Sequence, residues 1–462
     1  MRTTSNLARL SAVGLSLALF LAACGSDSDG ASKDTGSDET TTTVAGDEGS
    51  STTVAEETAA TPADENGGRT EGDGTLQLGG VLPQTGNLAQ LGPPMIKAPE
   101  MAVRDINEAG GVLGKDVTWT VKDDGGGGND DLAISSVDEL INNDKVDAIV
   151  GAAASGTTKS ILDKVVSSGT AECSPSNTGA DLTTRPDKGL YFRTPPPDNL
   201  QALALAKAVS DDGNANVAII AQNSDYGTGF VRFLEPALTD GGAKVVANVT
   251  YDLEGTGIDA EVEKVVSAAP DAVVLIGYPE DGGKVVAEMI KQGAGPADVP
   301  LYVTDGMQSN ELYKAVDESN PAVTAGIRGT AASAAPEAGA SFFPDAFKAF
   351  APEVESPIYS AQAYDCVILF ALAAEKAQSD APFDIAKEVT NVSKGESADA
   401  EKCSTYKDCL ALLKDGKDIN YEGASGALDF SDYGEPTAGS FDVYTFGDDG
   451  KYTTDEQVVV GS

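Results

Sequence analysis

Hydroxyl and amide groups are concentrated in a short segment at the predicted start of a helix. Ser155, Gly156 and Thr157 follow an apolar run, 146–150, that is predicted as a strand, and they open a stretch with helical periodicity. The first backbone N–H groups of a helix have no partner within it, and the helix dipole is positive at that end. Such a segment can bind an anion if it faces a cleft. Because serine is also a common capping residue, a simple helix cap at Ser155 is the alternative interpretation.

The same sequence contains few of the residues and motifs that catalysis requires. The chain has no histidine, which excludes Ser-His-Asp and Cys-His catalysis and every histidine-containing zinc site. The adjacent carboxylates Asp123 and Asp124 would point to opposite faces of a strand, so they do not form the paired acid and base of a hydrolase. No motif places a nucleophile on a sharp strand-to-helix turn. We therefore expect a protein that is not an enzyme and that has no cofactor and no metal ion.

Apart from Cys24, the chain has an even number of cysteines, which suits disulfide bonds outside the cytoplasm. Cys403 and Cys409 are close enough in sequence to pair locally. Cys173 and Cys366 could form a second disulfide if the fold brings them together. A four-cysteine metal site is the competing interpretation, although the spacing offers one close pair rather than two.

The N-terminal segment has the features of an export signal. Arg2 and Arg9 precede an apolar run over residues 10–21, which is too short to span a bilayer, and small residues follow it. Residues 21–24, Leu-Ala-Ala-Cys, resemble the lipobox of bacterial lipoproteins, in which the cysteine is joined to lipid and becomes the first residue of the mature protein. We predict a signal peptide over residues 1–23 and a lipid anchor at Cys24. An ordinary signal peptide with an incidental cysteine is the alternative.

The next segment, residues 24–74, is predicted to be a disordered acidic tether. It consists largely of Ser, Thr, Gly, Ala, Asp and Glu, and it cannot bury enough apolar surface to fold. Its acidic side chains repel one another and favour an extended chain. The whole chain has a formal net charge of −42 and a pI near 4.1, which argues against nucleic acid and anionic lipid as partners of the folded surface.

Apolar, β-prone runs alternate with helical patterns through the remaining chain. The strand candidates are residues 76–82, 117–121, 146–150, 217–221, 245–249, 272–276 and 301–303. The helix candidates are residues 100–108, 131–142, 201–210, 230–238, 284–291 and 359–376. Such alternation is typical of an α/β fold with parallel sheets, where ligands lie beyond the carboxyl ends of the strands. Residues 75–462 exceed the usual size of one compact core, about 250–300 residues, so we predict two lobes.

Seven segments, each a weak signal alone, occur in a characteristic order. They are residues 85–86, 104–114, 123–124, 151–158, 174–178, 191–194 and 225–227. Together they resemble the type I periplasmic binding proteins, in the leucine/isoleucine/valine-binding branch, over residues 76–459. The resemblance implies two Rossmann-like lobes joined by a three-strand hinge near residues 193–194, 326–329 and 428–430. The expected N-terminal lobe comprises residues 75–194 and 328–430, and the expected C-terminal lobe comprises residues 195–327 and 431–462.

The resemblance assigns a role in ligand binding to two loops of the first lobe. In this family, backbone N–H groups and hydroxyls hold the ligand's carboxylate where a helix begins. Ser155, Gly156 and Thr157 occupy that place in this sequence. Ser176 and Thr178 match the second carboxylate-binding loop of the family. A hydrogen-bonded turn next to proline is the alternative interpretation of Ser176 and Thr178.

The resemblance also implies an acidic and aromatic wall in the second lobe. Asp305 occupies the place of the family's ammonium-binding acid, although the glutamate common in this branch is one carbon longer. A simple turn-forming role is the alternative for Asp305. Tyr226 and Tyr278 match the aromatic residues that close over the ligand. Leu91 departs from the family, because relatives that bind leucine often have an aromatic residue there. The resemblance therefore does not determine which side chain the ligand carries.

These observations predict an extracytoplasmic substrate-binding lipoprotein of an ABC importer, anchored to the cell membrane. We expect a monomer that closes around a branched-chain or related amino acid and delivers it to a membrane permease. Two alternatives use the same fold. The chain could be the ligand-sensing domain of a receptor, or its ligand could be an amide, a urea derivative or an aromatic acid.

Overall fold

A computed structural model describes residues 71–254, 257–333, 336 and 341–461. The predicted signal peptide, Cys24 and residues 24–70 of the predicted tether lie outside the described residues. Within the described ranges, no helix is long and apolar enough to cross a membrane. The sheets of the described chain organise it into two lobes.

The first lobe is built on a sheet of five parallel strands in the order β2-β1-β3-β4-β5. Its strands are β1 (Gln77–Leu82), β2 (Thr118–Asp123), β3 (Ala148–Gly151), β4 (Ala171–Ser174) and β5 (Tyr191–Arg193). The helices that follow β1, β2 and β3 are α1 (Gly92–Glu108), α2 (Asp130–Glu139) and α3 (Ser155–Ser168). The central strand β3 is buried along its whole length, as expected for a parallel sheet covered by helices on both faces.

The second lobe continues the same alternation. Its strands along the chain are β6 (Asn216–Gln222), β7 (Lys244–Tyr251), β8 (Ala272–Ile276), β9 (Leu301–Val303) and β10 (Arg328–Ala332). Its helices are α4 (Asp198–Asp211), α5 (Asp225–Asp240), α6 (Ile258–Ser267), α7 (Pro279–Lys291) and α8 (Leu312–Asp317). Both predicted strands 272–276 and 301–303 have the predicted bounds.

The chain then returns to the first lobe before ending in the second. The returning helices are α9 (Phe343–Phe350), α10 (Ser360–Ala377), α11 (Pro382–Lys394) and α12 (Tyr406–Lys414), of which α10 packs against α1. The short strands β11 (Glu401–Cys403), β12 (Ile419–Gly423) and β13 (Gly426–Ala427) form a small separate sheet. Finally β14 (Gly439–Phe446) and β15 (Tyr452–Val460) form an antiparallel hairpin at one edge of the second sheet, whose order is β15-β14-β10-β9-β8-β6-β7.

The prediction of an α/β fold with two parallel-stranded lobes is confirmed, but one lobe boundary is wrong. Residues 328–332 form β10, which pairs with β9 and β14 of the second sheet rather than entering the first lobe. The predicted hinge at 326–329 therefore lies inside the second lobe, and the crossing follows Ala332. The other two crossings lie at residues 194–197 and 428–438, close to the predicted places.

Two disulfides tie the first lobe together. Cys403 and Cys409 pair across the short segment between β11 and α12. Cys173 on β4 pairs with Cys366 on α10, with Cα atoms 5.7 Å apart and a sequence separation of 193. The second disulfide joins two parts of the first lobe that the second lobe separates in sequence.

Candidate functional site

The wall contributed by the first lobe consists of two loops at the carboxyl ends of β3 and β4. The loop after β3 leads into α3, and the loop after β4 contains Ser176 and Thr178. The Ser176 hydroxyl donates to the Ala153 carbonyl at 2.9 Å. The Asn177 side-chain amide donates to the same carbonyl at 2.8 Å. The two loops thus form one hydrogen-bonded surface built from uncharged groups.

Ser155 belongs to this surface, although not as a helix cap. The N-cap of α3 is Ala154, so Ser155 is the first helical residue and the interpretation of Ser155 as the cap is wrong. Its hydroxyl instead accepts a hydrogen bond from the Gly179 N–H at 3.1 Å. This bond links the loop after β3 to the loop after β4, so Ser155 connects the two parts of the first-lobe wall.

The wall contributed by the second lobe is centred on Asp305, which follows β9 and is 3% exposed. The Tyr226 hydroxyl donates to the Asp305 carboxylate at 2.7 Å and lies 2.6 Å from the Thr304 hydroxyl. Tyr226 and Tyr278 are stacked, with ring centroids 5.5 Å apart and an interplanar angle of 7°. A buried carboxylate therefore lies beside two parallel aromatic rings.

Tyr359 is a site residue that the sequence reasoning missed. It precedes α10 in the chain segment that returns to the first lobe, and its hydroxyl donates to the second carboxylate oxygen of Asp305. Its backbone φ of 61° is left-handed, which is unusual for an aromatic residue. The sequence predicts Tyr359 as the first residue of a helix over 359–376, and helical periodicity contains no signal for a role in the site.

The two walls line one cavity between the lobes. Its lining residues are Leu88, Leu91, Met95, Ala153, Ser155, Ser176, Thr178, Tyr226, Tyr278, Asp305, Gly306 and Tyr359. Seven of the nine residues that the sequence assigned to ligand binding are among them; Gly156 and Thr157 are not. The centre of a water molecule can range over about 20 Å³ of this cavity, so the walls are in close contact.

Gly156 and Thr157 lie on the first turn of α3 but face other groups. A side chain added at Gly156 would approach the Asp225 carboxylate of α5, at the rim between the lobes. The Thr157 hydroxyl lies 3.5 Å from the Asp130 carboxylate at the start of α2, and the residue is 1% exposed. Of the predicted helix-start segment, only Ser155 therefore reaches the cavity.

Burial dominates the electrostatics of the acidic wall. Burial raises the pKa of Asp305, because a charged carboxylate loses its hydration there, while hydrogen bonds from Tyr359 and Tyr226 partly offset the rise. Burial also raises the pKa of Tyr226 and Tyr359, so both phenols stay neutral donors. A positively charged group next to Asp305 would stabilise its ionised form.

Polar contacts across the rim hold the lobes together. Lys159 of α3 forms an ion pair with Asp225 of α5 at 2.8 Å. Gln90, which precedes α1, donates to Glu280 of α7 at 3.0 Å and accepts from the Ser309 hydroxyl at 2.9 Å. These contacts join side chains of the first lobe to side chains of the second lobe.

A larger cavity of about 350 Å³ lies beside the crossings between the lobes. It has no charged lining residue among the described ones, and Thr194, Ala427 and Leu428 form part of its wall. It shares no lining residue with the cavity around Asp305. The smaller cavity combines opposite polar walls and is the better candidate for a specific ligand site.

Two lobes on parallel sheets, with three crossings and a polar cavity between them, are the architecture of a protein that binds a small molecule between its lobes. Comparison with known proteins agrees with this class. The family model described as periplasmic binding protein matches residues 75–408. The chain belongs to the periplasmic binding protein family.

The chain is similar in sequence to individual relatives and similar in fold to solved structures. The Leu/Ile/Val-binding protein homolog 3 of Brucella melitensis is 28% identical over 381 residues, which are 81% of this chain and 92% of the relative. The branched-chain amino acid transporter substrate-binding protein LivJ of Streptococcus pneumoniae, solved with isoleucine, superposes with a TM-score of 0.68 at 24% identity. That match covers 84% of this chain and 100% of LivJ.

A solute-binding protein of an ABC transporter from Rhodopseudomonas palustris, solved with 3,4-dihydroxybenzoic acid, has a TM-score of 0.66 at 17% identity. The match covers 84% of this chain and 99% of the solved structure. The predicted resemblance to the leucine/isoleucine/valine-binding branch of type I is confirmed. The relatives are substrate-binding proteins rather than enzymes, and the family indicates an extracytoplasmic location.

Proposed function

We propose that this protein is the substrate-binding component of an ABC importer and binds a branched-chain or related amino acid between its lobes. One observation carries the proposal. Ser155, Ser176 and Thr178 of the first lobe line the same cavity as Asp305 of the second. An α-amino acid carries a carboxylate and an ammonium group on the same carbon atom, and these two walls offer complementary partners to both.

Each wall would have a separate role in binding. The hydroxyls and loop N–H groups of the first lobe would hold the ligand's carboxylate, where uncharged donors suffice because the anion brings its own charge. Asp305 would pair with the ammonium group, which would otherwise be buried without a partner. Leu88, Leu91 and Met95 form the apolar part of the cavity and suit an aliphatic side chain.

A ligand that touches both walls would favour the closed arrangement of the lobes. Each lobe alone offers half of the contacts, so binding energy is gained fully only after closure. The permease would then recognise the closed monomer. In this proposal Cys24 carries the lipid anchor and residues 24–74 hold the lobes away from the membrane surface.

An aromatic acid is the second candidate ligand. The observation in its favour is the raised pKa of Asp305, because a neutral carboxyl group can face a ligand that has no positive charge. The solute-binding protein of Rhodopseudomonas palustris with 3,4-dihydroxybenzoic acid is a precedent in the same fold. The two candidates differ in whether the ligand carries an ammonium group.

A thermal-shift screen of the full-length protein, freed of any carried-over ligand, tests the proposal. The panel contains the common amino acids, their amides, urea and hydroxybenzoic acids. A ligand at a hundredfold excess over its Kd stabilises the native state by about 2.7 kcal/mol. We expect the largest shift with leucine, isoleucine or valine, and none with the corresponding decarboxylated amines. A shift confined to aromatic acids would refute the amino-acid assignment.

A further inference from the structure

The ring of Tyr278 lies between two glycines, one from each lobe. Tyr278 precedes α7 of the second lobe and is 6% exposed. A Cβ atom added to Gly127, in the loop after β2 of the first lobe, would lie 3.1 Å from Tyr278 Cε2. A Cβ atom added to Gly306, which follows β9, would lie 3.1 Å from Cδ1, on the opposite edge of the ring. A side chain at either position would crowd the ring, as expected where glycine permits a close approach.

The first-lobe loop that contacts this ring is held in place by a buried carboxylate. Asp124 is 0% exposed, and its carboxylate accepts from the Gly126 N–H at 2.8 Å and from the Ala153 N–H at 2.9 Å. A Cβ atom added to Gly127 would also lie 3.3 Å from the Ala154 Cβ atom. The loop cannot retreat from an added side chain without breaking a buried hydrogen bond to a charged group, which is costly. The tyrosine ring must therefore move instead.

The position of the Tyr278 ring affects the acidic wall. The ring is stacked on that of Tyr226, with centroids 5.5 Å apart, and the Tyr226 hydroxyl donates to the Asp305 carboxylate at 2.7 Å. A Cβ atom added to Gly306 would lie 3.2 Å from the Tyr226 hydroxyl, so both tyrosines lie against the same stretch of backbone. Because closely packed groups transmit displacement to their neighbours, a shift of Tyr278 reaches Tyr226 and its bond to Asp305.

We infer that Gly127 is a positioning residue for ligand binding, although it does not line the cavity. Because it lacks a side chain, the Tyr278 ring can lie against the first lobe when the lobes close, and the ring then holds Tyr226 beside Asp305. The inference rests on the proposed function, since it assigns this contact to the closed, ligand-bound protein. Gly127 therefore acts through Tyr278 and determines how fast the ligand leaves.

A matched pair of alanine substitutions separates this role from backbone strain. Gly127 has a φ of 82°, and Gly114, in an exposed turn of the same lobe, has a φ of 79°. Alanine is strained at both positions, but a Cβ atom at Gly114 would meet no atom within 4 Å. Gly127→Ala and Gly114→Ala should therefore both lower the melting temperature of the ligand-free, full-length protein. Only Gly127→Ala should weaken binding.

Calorimetry and stopped-flow kinetics measure the effect on binding. L-Leucine, L-isoleucine and L-valine are titrated into the parent and both variants, and hydroxybenzoic acids follow if none of the three binds. We expect Kd to rise at least about tenfold in Gly127→Ala, as for a methyl group added to a well-packed contact, and to stay unchanged in Gly114→Ala. The rise should come from faster dissociation at an unchanged association rate, because only the closed protein contains the crowded contact.

Further variants test whether Gly127 acts through Tyr278. Gly127→Asn also adds a Cβ atom, but asparagine tolerates the left-handed backbone better, so this variant replaces Gly127→Ala if the latter does not fold. It should raise Kd in the same way, and Gly114→Asn should not. Tyr278→Leu removes the ring atom that an added side chain would crowd. In the Tyr278→Leu background Gly127→Ala should cause no further loss, because residues in contact have non-additive effects.

The outcomes distinguish this inference from the proposed function. If the parent binds an amino acid and the Gly127 variants keep its Kd and dissociation rate, or lose affinity equally in the Tyr278→Leu background, the inference is wrong and the proposed function stands. If only hydroxybenzoic acids bind, the amino-acid assignment is wrong, and the same variants test the inference with that ligand. If nothing in the panel binds the parent, both are wrong. Faster dissociation that is confined to the Gly127 variants and absent in the Tyr278→Leu background supports the inference.

Discussion

The two walls of the cavity are held in place by different kinds of contact. The first-lobe wall is uncharged, and its loops are bonded to each other over short sequence separations, as between Ser176 and Ala153. The second-lobe wall is acidic, and Asp305 is bonded to Tyr226 and Tyr359, which are distant in the chain. Bonds between the loops after two neighbouring strands thus fix the uncharged wall, whereas the acidic wall depends on contacts between more distant parts of the chain. The walls should therefore respond differently to substitution.

The largest effect is expected from removing the charge of the acidic wall. Asp305→Ala leaves the ligand's ammonium group buried without a partner, which should weaken amino-acid binding by more than a hundredfold, or about 3 kcal/mol. Calorimetry with isoleucine measures the loss. Asp163→Ala, on an exposed carboxylate of α3, is the control and should bind as the parent does. Unchanged affinity in Asp305→Ala would show that the acidic wall does not contact the ligand's charge.

A smaller effect is expected from a neighbour of that charge. Tyr226→Phe removes one hydrogen bond to Asp305 and raises the pKa of Asp305 further, because the bond favours the ionised form. Affinity should fall about tenfold, as for loss of one hydrogen bond to a charged group of about 1.5 kcal/mol. Tyr251→Phe is the matched control, since the Tyr251 hydroxyl donates to Asp281 at 2.6 Å outside the cavity. If both variants lose affinity equally, the bond to Asp305 is not specific to binding.

Substitutions in the uncharged wall should weaken binding less than substitutions in the acidic wall. Ser155→Ala removes the hydroxyl that joins the two loops through the Gly179 N–H, at a cost of about 1 kcal/mol or a fivefold loss of affinity. Ser160→Ala is the control, because its hydroxyl donates to the Thr157 carbonyl within the same helix. A loss from Ser155→Ala as large as that from Asp305→Ala would abolish the distinction between the two walls.

The smallest effect is expected at the rim. Lys159→Met removes the ion pair with Asp225, and because the pair is partly exposed, affinity should fall about twofold at low salt and not at all in 1 M salt. Lys164→Met is the control, since Lys164 pairs with Asp138 within the first lobe at 2.6 Å. Stopped-flow dissociation rates measured at two salt concentrations distinguish them. A salt-independent loss in Lys159→Met would indicate a packing role instead.

The sequence was sufficient to predict the parts of the fold that depend on local patterns. Continuous apolar runs such as 272–276 and 301–303 identified strands, because buried parallel strands need no polar face. Strands β4 and β5 were missed, since each is short and lies in a segment without clear alternation. The sheet to which β10 belongs could not be derived either, because its partners are set by long-range pairing with β9 and β14.

In the site, too, some residues could be predicted from the sequence and others depend on long-range contacts. The family resemblance placed Asp305, Tyr226 and Tyr278 in the second-lobe wall, and all three line the cavity. Tyr359 could not be found from periodicity, because its approach to Asp305 depends on how the chain returns to the first lobe.

The disulfide between Cys173 and Cys366 gives the chain a particular covalent topology. The ring it closes contains every residue from 174 to 365, including β6 to β10 and α4 to α8 of the second lobe. A protease that cuts once inside this ring produces two polypeptides that remain linked. The fragments should therefore migrate as one species on a non-reducing gel and separate after reduction, and a nicked molecule could still hold both walls of its ligand site in register.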